Sequence, residues 1–319
     1  MRFCVFLLAL SLSFSLPAAG KKDALAGELT IFHAGSLSVP FKEISDAFIK
    51  IHPGLKINLE SAGSRQCARK ITELNKPCDV MASSDFTVID SLLIPDYAEW
   101  NIKFAANEMA IVYHQNSRMS QVINEQNWYR FLQMKTVAFG RADPDSDPCG
   151  YRSVIVMKLA ELYYKTPGLT ESLLKKDIRY IRPKEVDLLS LLEANEIDYI
   201  FLYKSVALQH KLKYISLPDE INLKSPKFID LYASVSTEIS GTEPGSKTLQ
   251  KGDVMTYGVT IPKNAPNPVA ALAFVDFLLG KKGMAIMEKN GQPGTVPSVS
   301  ETYTLLPESL KKYALPVTK

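Results

Sequence analysis

Short, mostly apolar runs alternate along this chain with longer amphipathic stretches. Leu29-Thr30-Ile31-Phe32 has the length and character of a buried strand, and Val39, Phe41, Ile44, Phe48 and Ile49 then mark one face of a helix. The same alternation predicts a strand over Leu55–Leu59, a helix over Arg65–Leu74 and a strand over Asp79–Ala82. A second set begins with Met109–Tyr113 and a helix bearing Trp128, Tyr129, Phe131 and Leu132. It continues through Val137–Phe139, a helix from Tyr151, Ile178–Ile181, a helix over Val186–Glu193 and Tyr199–Tyr203. One more strand, Tyr257–Pro262, precedes a helix over Pro268–Leu279 with Gly280 at its C-cap. Strands alternating with helices predict an α/β fold with mostly parallel sheets and right-handed crossovers. Residues 238–253 are polar and glycine-containing, which predicts a surface loop, and no internal repeat is present.

The first twenty residues form a pattern of their own. Met1-Arg2-Phe3 gives a positive start, Cys4–Leu16 an apolar run of secretory length, and Ala18, Ala19 and Gly20 a small-residue cleavage site. Residues 1–20 therefore read as a signal peptide, and the mature protein as exported and soluble, since no later run approaches a membrane span. Cys4 lies inside the run, not after it, which argues against a lipid anchor. The full chain carries 37 Lys and Arg against 34 Asp and Glu. Loss of residues 1–20 removes Arg2 and no acid, leaving a net charge of +2 with scattered bases, which argues against nucleic acid as a partner. About three hundred mature residues exceed one comfortable core and suggest two lobes. Cys67, Cys78 and Cys149 are an odd set without zinc spacing, and in a βαβ unit Cys67 and Cys78 stand too far apart to bond.

Candidate chemistry concentrates at the ends of the strands. Asp143, Asp145 and Asp147 precede the turn Pro148-Cys149-Gly150, which opens a helix. Free amide N–H groups and the positive end of the dipole make such a turn attractive to an anion. Ala34-Gly35-Ser36, Ser61-Ala62-Gly63-Ser64 and Tyr203-Lys204-Ser205 are junctions of the same kind. In open α/β sheets ligands bind beyond the carboxyl ends of strands, so all four can meet in one crevice. Hydroxyls and backbone amides there suit a fully ionised oxyanion, with no lysine or arginine required.

Read together, these segments resemble the exported molybdate and tungstate binding proteins that serve ABC importers, most closely the tungstate-type branch. The resemblance rests on Phe32-His33-Ala34-Gly35-Ser36-Leu37, Ala68-Arg69-Lys70-Ile71, Asp147–Ser153, Tyr203–Ala207, Tyr257–Ala265 and Gly291-Gln292-Pro293. It implies a two-lobed periplasmic binding fold whose chain crosses twice between lobes, with residues 27–108 and 262–319 in one lobe and 109–261 in the other. It also implies a periplasmic monomer with no catalysis and no cofactor beyond the bound tungstate or molybdate, delivered to a membrane permease. By the same resemblance the ligand contacts fall on the Ser36 and Ser64 hydroxyls, the Cys149 amide, the backbone at or near Glu185, and Tyr203. The two carboxylates that can approach the metal in that branch match Asp147 and, against the pattern, Leu202. A leucine cannot ligate, leaving a tetrahedral oxyanion, one added carboxylate from Asp147, or rescue by Glu185.

Sulfate, phosphate or an organic acid are alternative ligands. A rival of another class is an exported hydrolase using Asp147, Tyr203 and a serine, although no base stands near to activate that serine. Gly241–Thr248 has the wrong spacing for a phosphate loop, and His33, His52, His114 and His210 lack metal spacing. Ser83-Ser84-Asp85 has no nucleophile elbow and reads as a cap for a helix from Phe86, with Ser83 at the crevice edge. Cys149 reads as an amide donor in preference to an activated thiol.

Overall fold

The computed structural model describes residues 25–318 apart from Pro244, so the signal-like segment lies outside the described residues. Ala26–Ala34 (β1), Gly54–Ala62 (β2), Val80–Ser83 (β3) and Ile102–Ala106 (β4) begin the first sheet. Met109–Tyr113 (β5), Phe139–Ala142 (β6), Ile181–Arg182 (β7), Tyr199–Tyr203 (β8) and Lys213–Ser216 (β9) form the second, in the order β7-β6-β8-β5-β9. Ser236–Ser240 (β10) and Lys247–Lys251 (β11) make an antiparallel hairpin. Thr256–Thr260 (β12) returns to the first sheet, whose order is β2-β1-β3-β12-β4, with β12 antiparallel to both neighbours. Ser298–Ser300 (β13) and Ala314–Pro316 (β14) form a short parallel pair.

Both sheets are covered on both faces, which is why their central strands read as near-continuous apolar runs. On β1 the alternation of side chains sends Ile31 into one cluster with Phe41, Phe48 and Phe274, and Phe32 into another with Cys67, Met81 and Ile89. The second lobe has its own core around Trp128, Phe139, Tyr199 and Phe201. Cys67, Cys78 and Cys149 are buried, unpaired thiols.

The chain crosses between sheets at Asn107-Glu108 and again at Met255–Thr256. Met255 packs in the second core and Tyr257 in the first. This corrects the expected return after Ile261, since the apolar run from Tyr257 fits either lobe and only its pairing with β3 and β4 places it. Three other expectations change. Residues 238–253 form most of the β10–β11 hairpin, where a loop was expected. Ile178–Tyr180 is a 3-10 turn, and the strand is reduced to Ile181–Arg182. The sequence reading misses β4 and β9, each at an edge of its sheet and each carrying a lysine, Lys103 or Lys213, which breaks the apolar signal.

The lobes meet face to face. Ser146 O accepts from the Gln66 amide at 3.2 Å, and a Cβ on Gly63 would stand 2.4 Å from that same carbonyl. Gly63 has φ −57°, open to any residue, so glycine is needed there only for the approach of the other lobe. Gly63→Ala is accordingly expected to leave each lobe folded while holding the two apart. A larger radius of gyration by small-angle scattering, with the melting temperature little changed, is the expected signature; native compactness would contradict it.

Candidate functional site

Both faces of the interlobe contact are made by the turns that follow strands. From the first lobe come Gly35-Ser36 after β1, Gly63-Ser64 after β2 and Ser84-Asp85 after β3. From the second come the Asp147-Pro148-Cys149 helix start after β6, Glu185 after β7 and Tyr203 at the end of β8. Ser36, Ser64, Asp147, Cys149, Glu185 and Tyr203, the six residues expected from sequence, are all buried in this layer.

The hydrogen-bond directions of the three hydroxyls follow from their fixed partners. Asn107 Nδ2 at 2.8 Å and Gln292 Nε2 at 3.2 Å both donate to the Tyr257 hydroxyl oxygen, so Tyr257 directs its own proton to Ser36 Oγ, 2.9 Å away. Ser64 Oγ accepts from the Ser84 amide at 3.0 Å. Tyr203 accepts from Arg152 Nη1 at 3.1 Å. Each of these oxygens already receives a proton, so the O–H of Ser36, Ser64 and Tyr203 is left to donate. Burial keeps Tyr203 well above the usual phenol range and pushes Tyr257 up to about 12, so both remain phenols.

Asp147 caps its helix, accepting from the Cys149 amide at 2.8 Å through Oδ1, while Oδ2 accepts from the Glu185 amide at 3.1 Å. The two backbone amides expected to hold an anion are thus already on the Asp147 carboxylate, which they orient in the cleft. The Glu185 side chain, not only its backbone, enters the site. Both carboxyl oxygens are buried without a hydrogen-bond partner, and a Cβ on Gly35 would lie 2.5 Å from Oε2. Leu202 lies elsewhere. It faces the core of the second lobe, on the side of β8 opposite Tyr203, so the carboxyl that reaches the cleft beside Asp147 is that of Glu185. Among the described residues no group of three or more His, Cys, Asp and Glu is placed to hold a metal ion.

Sequence reasoning missed Ser84, Arg152, Tyr257, Asn107 and Gln292. Ser84, not Ser83, edges the cleft, with Oγ 3.2 Å from Ser64 Oγ and 3.4 Å from the Tyr203 hydroxyl. Asp85 does cap the Phe86 helix, as expected, accepting from Thr87 N at 3.0 Å. Arg152, Tyr257 and Gln292 stood inside recognised segments, and that was the available signal for them. Arg152 revises the expectation that no arginine takes part, since its guanidinium is buried in the wall of the site. Cys149 is no activated thiol: burial holds it neutral, and Sγ donates to Phe201 O at 3.5 Å.

Residues 29–292 match the family described as bacterial extracellular solute-binding protein. The chain belongs to that family. An uncharacterized solute-binding protein of Petrotoga mobilis is 50% identical over 292 residues, 91% of each chain. The molybdate/tungstate-binding protein WtpA of Pyrococcus abyssi is 40% identical, covering 96% of this chain and 94% of its own. The periplasmic molybdate-binding protein of Azotobacter vinelandii shares the fold, with TM-score 0.60, 15% identity, and coverage of 83% of this chain and 98% of that one. Two mixed α/β lobes are the architecture expected of this solute-binding family. Among the described residues no helix is long and apolar enough to cross a membrane.

Burial, and then the charge of Asp147, push the Glu185 carboxyl well above the usual carboxylate range, and burial raises Asp147 as well. A carboxyl that binds its proton more tightly when folded contributes stability below the ordinary glutamate pKa of about 4.3, and that contribution is lost as pH rises through the raised value. The ligand-free protein is expected to lose stability as pH rises above the ordinary glutamate range on this account. Glu185→Gln should flatten the slope; thermal melts across that range that fall in parallel for both proteins would exclude Glu185 as the source.

Proposed function

We propose that this solute-binding protein captures molybdate or tungstate between its lobes and delivers it to an ABC importer in the membrane. In this reading residues 1–20 direct export, and the mature chain works as a monomer outside the cytoplasm without catalysis. The observation that carries the choice of ligand is the pair of buried carboxyls, Asp147 and Glu185, in a cleft otherwise lined with O–H donors. Two ionised carboxylates beside a sulfate dianion would repel it, because that ion has no proton to share and its sulfur accepts no further ligand. Molybdenum and tungsten can extend their coordination by taking carboxylate oxygens, and the repulsion then becomes bonding. Ser36, Ser64 and Tyr203 supply hydrogen bonds to the oxyanion, a role the proton directions above support. The name of the Pyrococcus relative supports the same ligand class. The hydrolase reading loses ground, since none of these hydroxyls has a free base beside it.

Molybdate and tungstate are expected to raise the melting temperature strongly, by roughly 4 kcal/mol of stability at about a thousand times the dissociation constant, with sulfate and phosphate doing little. Equal stabilisation by sulfate would defeat the assignment. Ser36→Ala and Ser64→Ala should each weaken binding by about 1.5 to 3 kcal/mol, because each leaves a charged acceptor one donor short. Calorimetric titration of both variants checks this, and unchanged affinity in both would place the ligand elsewhere.

X-ray absorption of the tungstate-loaded protein should show oxygen neighbours beyond four, and Glu185→Gln should remove at least one. A regular tetrahedron in the native protein would return the reading to a plain hydrogen-bonded oxyanion.

A further inference from the structure

Arg152 and Asp85 form a buried ion pair that no ligand contact requires. Asp85 belongs to the first lobe, two residues beyond β3, and Arg152 to the second, near the start of the Pro148–Tyr163 helix. Arg152 Nη2 lies 3.2 Å from Asp85 Oδ2, and both side chains are less than a tenth exposed. Tyr151 OH donates to the same carboxylate oxygen at 2.6 Å, again across the lobes. Arg152 Nη1 has two more partners, Ser84 O at 2.8 Å in the first lobe and the Tyr203 hydroxyl at 3.1 Å in its own. One guanidinium thus touches a carboxylate, a carbonyl and a phenol at the seam between lobes. Burial opposes its charge, yet Tyr203, Asp85 and Tyr151 hold it above the usual arginine range.

Two consequences follow from this placement. A buried pair joining two movable bodies fixes the register in which they meet more than it adds net stability, because desolvation offsets most of the attraction. The contact to Tyr203 also fills an acceptor site on the phenol oxygen, so its proton is the donor; without ligand it reaches Ser84 Oγ in a long contact of 3.4 Å, which a better acceptor can replace. We infer that Arg152 is a positioning residue that locks the lobes in register through Asp85 and, through the same guanidinium, aims the Tyr203 hydroxyl at the bound oxyanion. The first half rests on the interlobe geometry alone, and the second on the proposed function above. The lock forms only when the lobes meet, so its removal acts on release more than on capture.

The test uses the full mature chain, with tungstate as the probe and spin labels on exposed positions of each lobe to report their separation. Arg152→Met is expected to shift the ligand-free population toward larger separations. It should speed tungstate dissociation by about a hundredfold while changing the association rate by less than about threefold. Tyr203→Phe alone should cost about tenfold in affinity, and less than about twofold more when Arg152 is already methionine, because the two act as one unit. Arg152→Lys, a point charge that cannot hold three partners, should restore only part of the loss.

Should Arg152→Met fail to fold, Asp85→Asn decides. Asparagine still caps Thr87 but carries no charge, and it should also open the lobes and hasten release. Native separations and native dissociation in Asp85→Asn and Arg152→Met, or losses from Arg152 and Tyr203 that multiply, would overturn the inference. Native protein that binds no oxyanion, with lobes that still open in the variants, would sink the ligand assignment and leave the lock standing.

Discussion

Closing two lobes over a polar layer takes its hydroxyls and carboxyls out of bulk solvent, where a misdirected proton is costly, and the site is organised around that constraint. Each candidate donor hydroxyl accepts from a group that cannot reverse its role: Ser64 from a backbone amide, Tyr203 from a guanidinium, and Ser36 from a phenol whose oxygen is itself filled by two side-chain amides. Direction is therefore built in before any ligand arrives. The same groups belong to the hinge and the seam. Asn107 sits at one crossing between the sheets, Tyr257 just after the other, and Ser84 touches both lobes. Closure and donor orientation are mechanically one arrangement.

Asp147 and Glu185 give the cleft its chemical character. Two amides fix Asp147, whereas Glu185 has no partner for either oxygen and lies against Gly35, where a larger residue could not stand. Leaving a carboxyl unpaired in a buried site is unfavourable unless it is protonated or meets a cation or a metal centre. A cleft of donors alone would suit any tetrahedral dianion. In the proposed reading the added carboxyls favour one whose central atom can accept them.

Much of the site was legible along the chain because strand-to-helix turns announce themselves by small residues between an apolar run and a helical period. The junctions that hold Ser36, Ser64, Cys149 and Tyr203 were found this way, the residues themselves through the family resemblance, and all lie in the interlobe layer. Arg152 was passed over although it stands three residues from Cys149, because an arginine near a helix start reads as solvated until tertiary contacts bury it. The choice among the open alternatives at Leu202, with Glu185 one of them, rested on the fold for a related reason. Linear spacing places a residue near a site, but which face of β8 looks inward is set by pairing with β5 and by the core behind it.

By itself the sequence determined the alternation of strands and helices and the turns that bear donors, since each depends on periodicity and local backbone chemistry carried within a dozen residues; the two-lobed class followed from chain length and from the family resemblance. Only the tertiary structure decided which lobe owns Thr256–Thr260, which amides are already taken by Asp147, and which carboxyl enters the cleft. It alone joined Asp85 to Arg152. Those outcomes turn on residues tens to hundreds of positions apart meeting in a buried layer, where the pairing of every proton and charge depends on all of its neighbours at once.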